Sequence, residues 1–204
     1  MADVFENRRD LDARREKLWE VIENTPNLDW LLLTKRPQNI RDLAPWTNQW
    51  PKNIWVGATA ENQKWLDVRM PFLVSISAPI IFLSCEPLLG PLSLEKWVAG
   101  ARRGDFRKVD WVIGGGESGH HSRPMHPEWL MGLRDQCVDA QIKFHFKQWG
   151  NWKPESRGTE NNRATRILSA ANGERITMIN LGKKDAGRRL QGRTWDEFPV
   201  GIAR

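Results

Sequence analysis

The chain has 204 residues, 40% of them hydrophobic, and a formal net charge of +6. This length and composition favour one large domain, or one domain with an appendage, built around a hydrophobic core. Its two cysteines exclude a disulfide framework, and apolar runs no longer than a strand exclude a membrane span, so we expect a cytoplasmic protein.

Helical and strand patterns alternate along the first 150 residues. In chain order they predict a helix at 8–24, a strand at 29–34, a helix at 37–43, a strand at 53–58, a helix at 61–77, a strand at 79–84, a helix at 93–98, a strand at 109–114, a helix at 127–140 and a strand at 141–147. Pro71 predicts a kink or a break in the third helix. This alternation predicts parallel strands joined by right-handed crossovers.

The pattern changes after Gly150. Two short β-like pieces, 166–168 and 175–178, flank an Asn172-Gly173 step, which favours a tight hairpin. We therefore predict an α/β fold: a partial, open parallel β/α barrel of about five strands over residues 1–150, with a small basic, β-containing appendage at 151–204 packed on it.

Polar residues follow each predicted strand, at the edge where parallel α/β sheets bind ligands. They form a predicted ligand-binding rim, which consists of Lys35, Arg36, Glu61, Glu86, Gly115, Gly116, Glu117, Ser118, Lys147, Gln148 and Trp149.

Each part of this rim has two interpretations. Converging Glu61, Glu86 and Glu117 could act as acid or base or hold a divalent cation, or the cations of the rim could neutralise them. The glycines could form an anion-binding nest, or a tight turn required by packing. Trp149 could stack on a base, or pack against the sheet. We predict no metal site and assign no catalytic residue.

Basic residues are concentrated in the last quarter of the chain. Residues 153–204 contain 11 Lys and Arg against 6 Asp and Glu, whereas residues 1–152 contain 20 against 19. This imbalance suits a polyanion such as nucleic acid, although a solvated basic face without a partner would look the same. The candidate polyanion-binding residues are Lys183, Lys184, Arg188, Arg189 and Arg193.

Several short strings occur together in a fixed order. They are Leu33-Thr34-Lys35-Arg36-Pro37, Glu86-Pro87-Leu88-Leu89-Gly90-Pro91, Gly115-Gly116-Glu117-Ser118-Gly119 and Phe146-Lys147-Gln148-Trp149-Gly150, followed by an ending from Gly182 to Pro199. This set resembles a phage- and prophage-associated family of unknown function. Its longer members resemble radical S-adenosylmethionine (radical-SAM) proteins.

The resemblance also implies what this chain lacks. The longer members begin with a C-x3-C-x2-C segment, which would hold a [4Fe–4S] cluster through three thiolates. Here Cys85 and Cys137 lie on different predicted elements. The chain therefore looks like a short form without the cluster loop and the first strands, either naturally or because its start was placed at an internal Met. We expect no cofactor and no iron–sulfur cluster; S-adenosylmethionine is left open.

Three functions follow from these observations. The first is a phage-encoded, non-catalytic binding protein derived from a radical-SAM-like barrel, which engages nucleic acid or a host nucleoprotein or defence complex in the host cytoplasm. The second is a SAM- or nucleotide-dependent enzyme that uses the rim. The third is a fragment of a longer radical-SAM protein. A barrel without its first strands would expose the strand at 29–34, so we also expect a homodimer or partner contact there, and no contact with a membrane.

Overall fold

Five parallel strands in sequential order form the main sheet of the protein. The computed structural model describes residues 3–47, 49–155, 163–169 and 173–199. The strands are β1 (Trp30–Thr34), β2 (Ile54–Thr59), β3 (Ile80–Cys85), β4 (Trp111–Gly115) and β5 (Lys143–Gln148), in the spatial order β1-β2-β3-β4-β5. The predicted α/β fold with about five parallel strands is confirmed, and within the described residues the sheet stays open.

Helices connect these strands. They are α1 (Asp12–Glu23), preceded by a 3₁₀ turn at Arg9–Leu11, the short α2 (Ile40–Leu43), α3 (Gln63–Leu73), α4 (Glu95–Arg103) and α5 (Pro127–Asp139). The main core joins helix residues such as Leu66 and Leu130 to the strand residues Val56, Leu83 and Phe144, all fully buried. The opposite face of the sheet carries a smaller cluster of Trp55, Ile80, Phe82 and Trp111. The helices therefore pack on one face of the sheet, as in a segment of a β/α barrel.

Two helices differ from their predicted form. Helix α3 is continuous, with Pro71 in its last turn, so the predicted break does not occur. Helix α4 extends to Arg103, beyond the predicted end at residue 98, and ends at Gly104 in a left-handed conformation (φ 83°). Gly100 lies inside α4. A Cβ at this position would lie 2.2 Å from the ring of Phe106, so the packing of that ring requires glycine here. Gly100 is thus a packing residue.

The two edges of the main sheet are different. The segment at 195–197 runs along β5: Phe146 N–H donates to the carbonyl of Trp195, and Glu197 N–H donates to that of Phe144. On β1, the N–H of Trp30 donates to the carbonyl of Asn53, the residue just before β2. The alternation of a parallel ladder then directs the backbone groups of Leu31 and Leu33 away from β2. β1 is therefore the edge of this sheet that no described strand covers.

A second, antiparallel sheet follows. It has the order β6-β8-β7 and consists of β6 (Trp152–Pro154), β7 (Thr165–Ser169) and β8 (Arg175–Asn180), followed by the short helix α6 (Gly182–Ala186). Ser169 pairs with Arg175, whereas Asn172 of the predicted hairpin turn lies outside the described residues. Trp149, Ala186 and Leu190 belong to the main core, so this region packs on the five-stranded sheet.

Among the helices of the described residues, none combines the length and the apolar character that crossing a bilayer requires.

Candidate functional site

The carboxyl ends of β1 and β2 bring Lys35 and Glu61 together. Lys35 Nζ lies 2.7 Å from Glu61 Oε1, and Arg69 Nη1 on α3 lies 2.7 Å from Glu61 Oε2. The same guanidinium donates to the carbonyl and hydroxyl of Thr59 and to the carbonyl of Lys35. Glu61 and Arg69 are both buried, at 8% and 6% exposure, so this ion pair is a structural element of the rim.

The protonation of Glu61 follows from these contacts. Burial alone would raise the pKa of the Glu61 carboxyl, but hydrogen bonds from Lys35, from the backbone and from Arg69 together outweigh it. The net effect is a pKa below the ordinary value of a glutamate, so Glu61 is ionised at neutral pH. A carboxylate held in this way is a poor candidate for a general base that must accept a proton near pH 7.

Glu86 and Lys147 form a second ion pair across the sheet. Lys147 Nζ on β5 lies 3.0 Å from Glu86 Oε2, just after β3, and the Ser84 hydroxyl lies 3.5 Å from Glu86 Oε1. The intervening strand β4 ends at Gly115, where an added Cβ would lie 3.0 Å from Glu86 Oε2. The missing side chain at Gly115 leaves the space that this ion pair occupies.

The third carboxylate of the predicted rim is engaged by a cation from its own loop. Arg123 Nε and backbone N–H both donate to Glu117 Oε2 at 2.8 Å, and Arg123 Nη2 donates to Oε1. These hydrogen bonds lower the pKa of the Glu117 carboxyl. Glu117 is therefore held by Arg123, and each of the three glutamates has a cationic partner of its own.

The glycine-rich loop packs tightly against the loop after β5. Gly116 N–H donates to the carbonyl of Gln148, and a Cβ at Gly116 would lie 1.9 Å from the carbonyl oxygen of Trp149. Gly150, at φ 80°, would in turn place a Cβ 2.0 Å from the carbonyl of Glu117. These positions need glycine for the close approach of two backbones, which favours the packing interpretation over an anion-binding nest. Ser118, next in this loop, is exposed.

Trp149 is buried at 5% exposure and so does not offer its ring to a base. It packs edge-to-face on Phe146, with ring centroids 5.1 Å apart. Its Nε1–H donates to the carbonyl of Arg189, and its backbone N–H donates to that of Gly187. These contacts favour the packing interpretation: Trp149 anchors the basic segment, residues 183–193, beside the carboxyl end of β5.

The basic segment exposes all five of its predicted cations. Arg188 pairs with Asp196, and the Arg193 guanidinium lies 3.7 Å from the ring centroid of Trp195. Lys183, Lys184 and Arg189 are also exposed. Among the described residues no carboxylate lies within 4.0 Å of these three or of Arg193, so most of the positive charge of the segment is uncompensated locally.

The remaining rim cation, Arg36, turns away from the three glutamates. Its guanidinium pairs with Asp3 at 3.4 Å and with Glu6 at 3.0 Å. The expectation that Arg36 neutralises a rim glutamate is therefore wrong, because the N-terminal segment supplies nearer acids. Arg36 is used to hold residues 3–6 against the end of β1.

Sequence reasoning missed two residues that complete the rim, Arg69 and Arg123. Arg69 had a detectable signal, since it lies on the apolar stripe of α3 with Leu66, Met70 and Leu73, where a charge requires a buried partner. Arg123 had no such signal, because a basic residue in a polar loop is usually exposed to solvent and needs no acidic partner.

The two cysteines do not fit an iron–sulfur cluster. Cys85 and Cys137 are both fully buried, and burial raises the pKa of each thiol, that of Cys85 well above its usual value. A cluster of the radical-SAM type needs three thiolates from cysteines close together. Cys85 and Cys137 are one cysteine short of this set.

These features define an open, parallel α/β protein whose carboxyl edge is built from ion pairs and borders an exposed basic segment. The profile of the family described as "Protein of unknown function (DUF5131)" matches residues 1–199, and the chain belongs to this family. A search of curated proteins and a search of solved structures each found no match.

Proposed function

We propose that the protein is a non-catalytic binding protein of phage origin, derived from a radical-SAM-like barrel, which engages nucleic acid through its basic segment. The observation that carries this proposal is the set of exposed cations without acidic partners among the described residues: Lys183, Lys184, Arg189 and Arg193. Uncompensated Lys and Arg attract phosphate backbones by releasing condensed counterions.

The position of the basic segment supports the same proposal. Trp149 holds the carbonyls of Gly187 and Arg189, and Leu190 and Arg193 exchange two backbone hydrogen bonds in a tight turn. Arg189 and Arg193 therefore flank one turn, which Trp149 holds beside the carboxyl end of β5. A fixed array of cations loses less conformational entropy on binding than cations on a free tail.

The geometry of the rim favours binding over catalysis. Glu61, Glu86 and Glu117 are engaged by Arg69 and Lys35, by Lys147 and by Arg123 respectively. To act as a general base or as a metal ligand, each glutamate would first have to break its ion pair. The rim thus supports a structural role for the residues that a catalytic hypothesis would use.

Fluorescence anisotropy with a labelled oligonucleotide tests the proposal. We expect binding that weakens steeply between about 50 and 200 mM salt, since each phosphate contact contributes to the salt dependence. The Lys183→Glu/Lys184→Glu variant should bind at least about tenfold more weakly, because each reversal replaces an attraction with a repulsion.

A matched control separates local contacts from net charge. Arg14→Glu/Lys17→Glu makes the same change in charge on the exposed face of α1, remote in sequence from the basic segment. It should leave the affinity within about twofold of the wild-type protein once salt screens distant charges. Equal losses in the two double variants, or no binding at low salt, would count against the proposal.

The host partner is the second part of the proposal. A nucleoprotein or defence complex would present the same phosphate chemistry together with protein surface. Pull-down from a host lysate with and without nuclease distinguishes the two: capture that nuclease abolishes indicates nucleic acid, and capture that survives nuclease and the control substitution indicates a protein partner.

A further inference from the structure

A cleft of about 360 Å³ lies between the loop after β4, helix α5 and the second sheet. Its walls come from Leu89 after β3, Arg123 and Pro124 in the loop, Trp129 on α5, and Arg166 and Ile167 on β7. Of the described residues that line it, none is acidic. The volume is at the lower end of the range of small-molecule sites, about 300–1,000 Å³.

The charge of this cleft is set by Arg166. Arg123 already pairs with Glu117, so its charge is largely neutralised. Arg166 is exposed, and its guanidinium lies 5.5 Å from the ring centroid of the buried Trp152. Among the described residues no carboxylate lies within 4.0 Å of Arg166, so no described acid competes with a ligand for its guanidinium. Such a group can form a fork of hydrogen bonds with phosphate oxygens.

The other walls of the cleft are aromatic and aliphatic. Trp129 is half-buried, and its inner side packs on His126, with ring centroids 5.9 Å apart. Leu89, Pro124 and Ile167 complete an apolar surface, of which Ile167 is 57% exposed. A flat apolar surface beside a guanidinium matches a molecule that carries a planar ring and an anion.

We infer that this cleft binds a single nucleotide unit, with its base against Trp129 and the aliphatic wall and its phosphate at Arg166. This inference rests on the proposed engagement of nucleic acid and adds a defined site to it. Stacking on an aromatic side chain tolerates every base, and the guanidinium adds the contact to the backbone. The basic segment then provides attraction along the strand, while the cleft holds one exposed nucleotide of a single strand or an end.

Calorimetric titration with adenosine 5′-monophosphate tests the cleft directly. We expect saturable binding to the wild-type chain, weaker binding of adenosine, and little binding of inorganic phosphate alone, because the base and the phosphate act together. Arg166→Ala should weaken binding of the nucleotide at least about tenfold, and Arg166→Lys should retain part of the affinity.

Arg175→Ala provides the matched control, since Arg175 is an exposed arginine on the neighbouring strand β8 and does not line the cleft. It should bind the nucleotide as the wild-type protein does. Thermal unfolding of each variant verifies that the second sheet still forms. A separate Ile167→Ser variant, which makes the wall polar, should weaken binding of the nucleotide more than binding of phosphate.

The outcomes distinguish the cleft from the basic segment. No binding of the nucleotide, or equal loss in Arg166→Ala and Arg175→Ala, overturns the cleft while salt-dependent oligonucleotide binding keeps the proposed function. Nucleotide binding that depends on Arg166 supports the cleft, even if reversal of Lys183 and Lys184 leaves oligonucleotide binding unchanged. If phosphate and the nucleotide bind with equal affinity, the base does not contact Trp129 and the aliphatic wall, and that part of the inference is wrong.

Discussion

The ammonium group of Lys147 lies 3.0 Å from the carboxylate of Glu86, although strand β4 separates the strands that carry them. The contact crosses the end of β4 at Gly115, which offers no side chain. One glycine at the end of a central strand thus allows an ion pair to link two strands that are not neighbours.

This crossing predicts an order of stability among alanine substitutions. Gly115→Ala places a methyl group 3.0 Å from Glu86 Oε2 and should lower the free energy of unfolding by about 1–3 kcal/mol. Gly116→Ala should lower the free energy of unfolding further, because its Cβ would lie 1.9 Å from the backbone carbonyl oxygen of Trp149. Gly90→Ala has no atom within 4 Å and serves as the neutral control. Denaturant unfolding measures all three, and a similar loss for each would refute the packing assigned here.

The two cations around Glu61 should contribute very differently to stability. Arg69→Met removes a buried guanidinium from a buried carboxylate and should lower the free energy of unfolding by about 3–5 kcal/mol. Lys35→Met removes a cation whose side chain is 59% exposed, so the expected loss is at most about 1 kcal/mol. Urea titration of both variants checks the ratio; a larger loss from Lys35 would contradict it.

The lowered pKa of Glu61 predicts a loss of stability in acid. The ionised carboxylate binds its cations only in the folded protein, so the stabilisation is complete above the unfolded-state pKa of about 4.3 and is lost as the pH falls through the lower folded-state pKa. The difference in unfolding free energy between the wild type and Glu61→Gln should therefore shrink as the pH falls below about 4. Glu16→Gln, an exposed position on α1, controls for net charge.

The burial of both cysteines predicts slow reaction with thiol reagents. Burial raises the pKa of Cys85 and of Cys137, so little thiolate forms and the reagent has no access. Ellman's reagent at mildly alkaline pH should detect no fast thiol in the native protein and two in denaturant. Rapid reaction of either thiol in the native state would show that the region around it opens.

The exposed edge of β1 predicts association of two copies. Leu31 and Leu33 are 46% and 42% exposed, and their backbone groups point away from β2. Antiparallel pairing of β1 with β1 of a second copy would set Leu31 against Leu33 of that copy. Leu33→Lys should shift the protein to a monomer in light scattering, because a charge on an edge strand opposes pairing. Leu28→Lys, exposed but outside the strand, should leave the dimer intact; a monomeric wild type would contradict the prediction.

The central strands were accessible to sequence reasoning because they are apolar runs that the sheet buries on both faces. β2 and β3, for example, are buried at every position, and their predicted bounds differ from those observed by one residue at each end. Residues that follow such runs must reach the same edge, which is why Lys35 with Glu61 and Glu86 with Lys147 could be placed together.

The sequence pattern did not predict every cation that pairs with a rim glutamate. Which cation reaches Glu117 depends on how the loop of Arg123 folds back. Arg36 pairs with Asp3 and Glu6, which precede it by 33 and 30 residues. The glycines were equally ambiguous, since a nest and a close backbone contact require the same residue. Tertiary contacts of single side chains decide these points, and a sequence pattern does not encode them.

The segment at 195–197 pairs with β5, about fifty residues earlier in the chain, and Trp111 on β4 also donates its indole N–H to the carbonyl of Glu197. During translation, the edge of β5 therefore stays unpaired until residues 195–197 have left the ribosome. A nascent chain halted before Trp195 would therefore carry an unpaired strand edge, a feature that promotes aggregation.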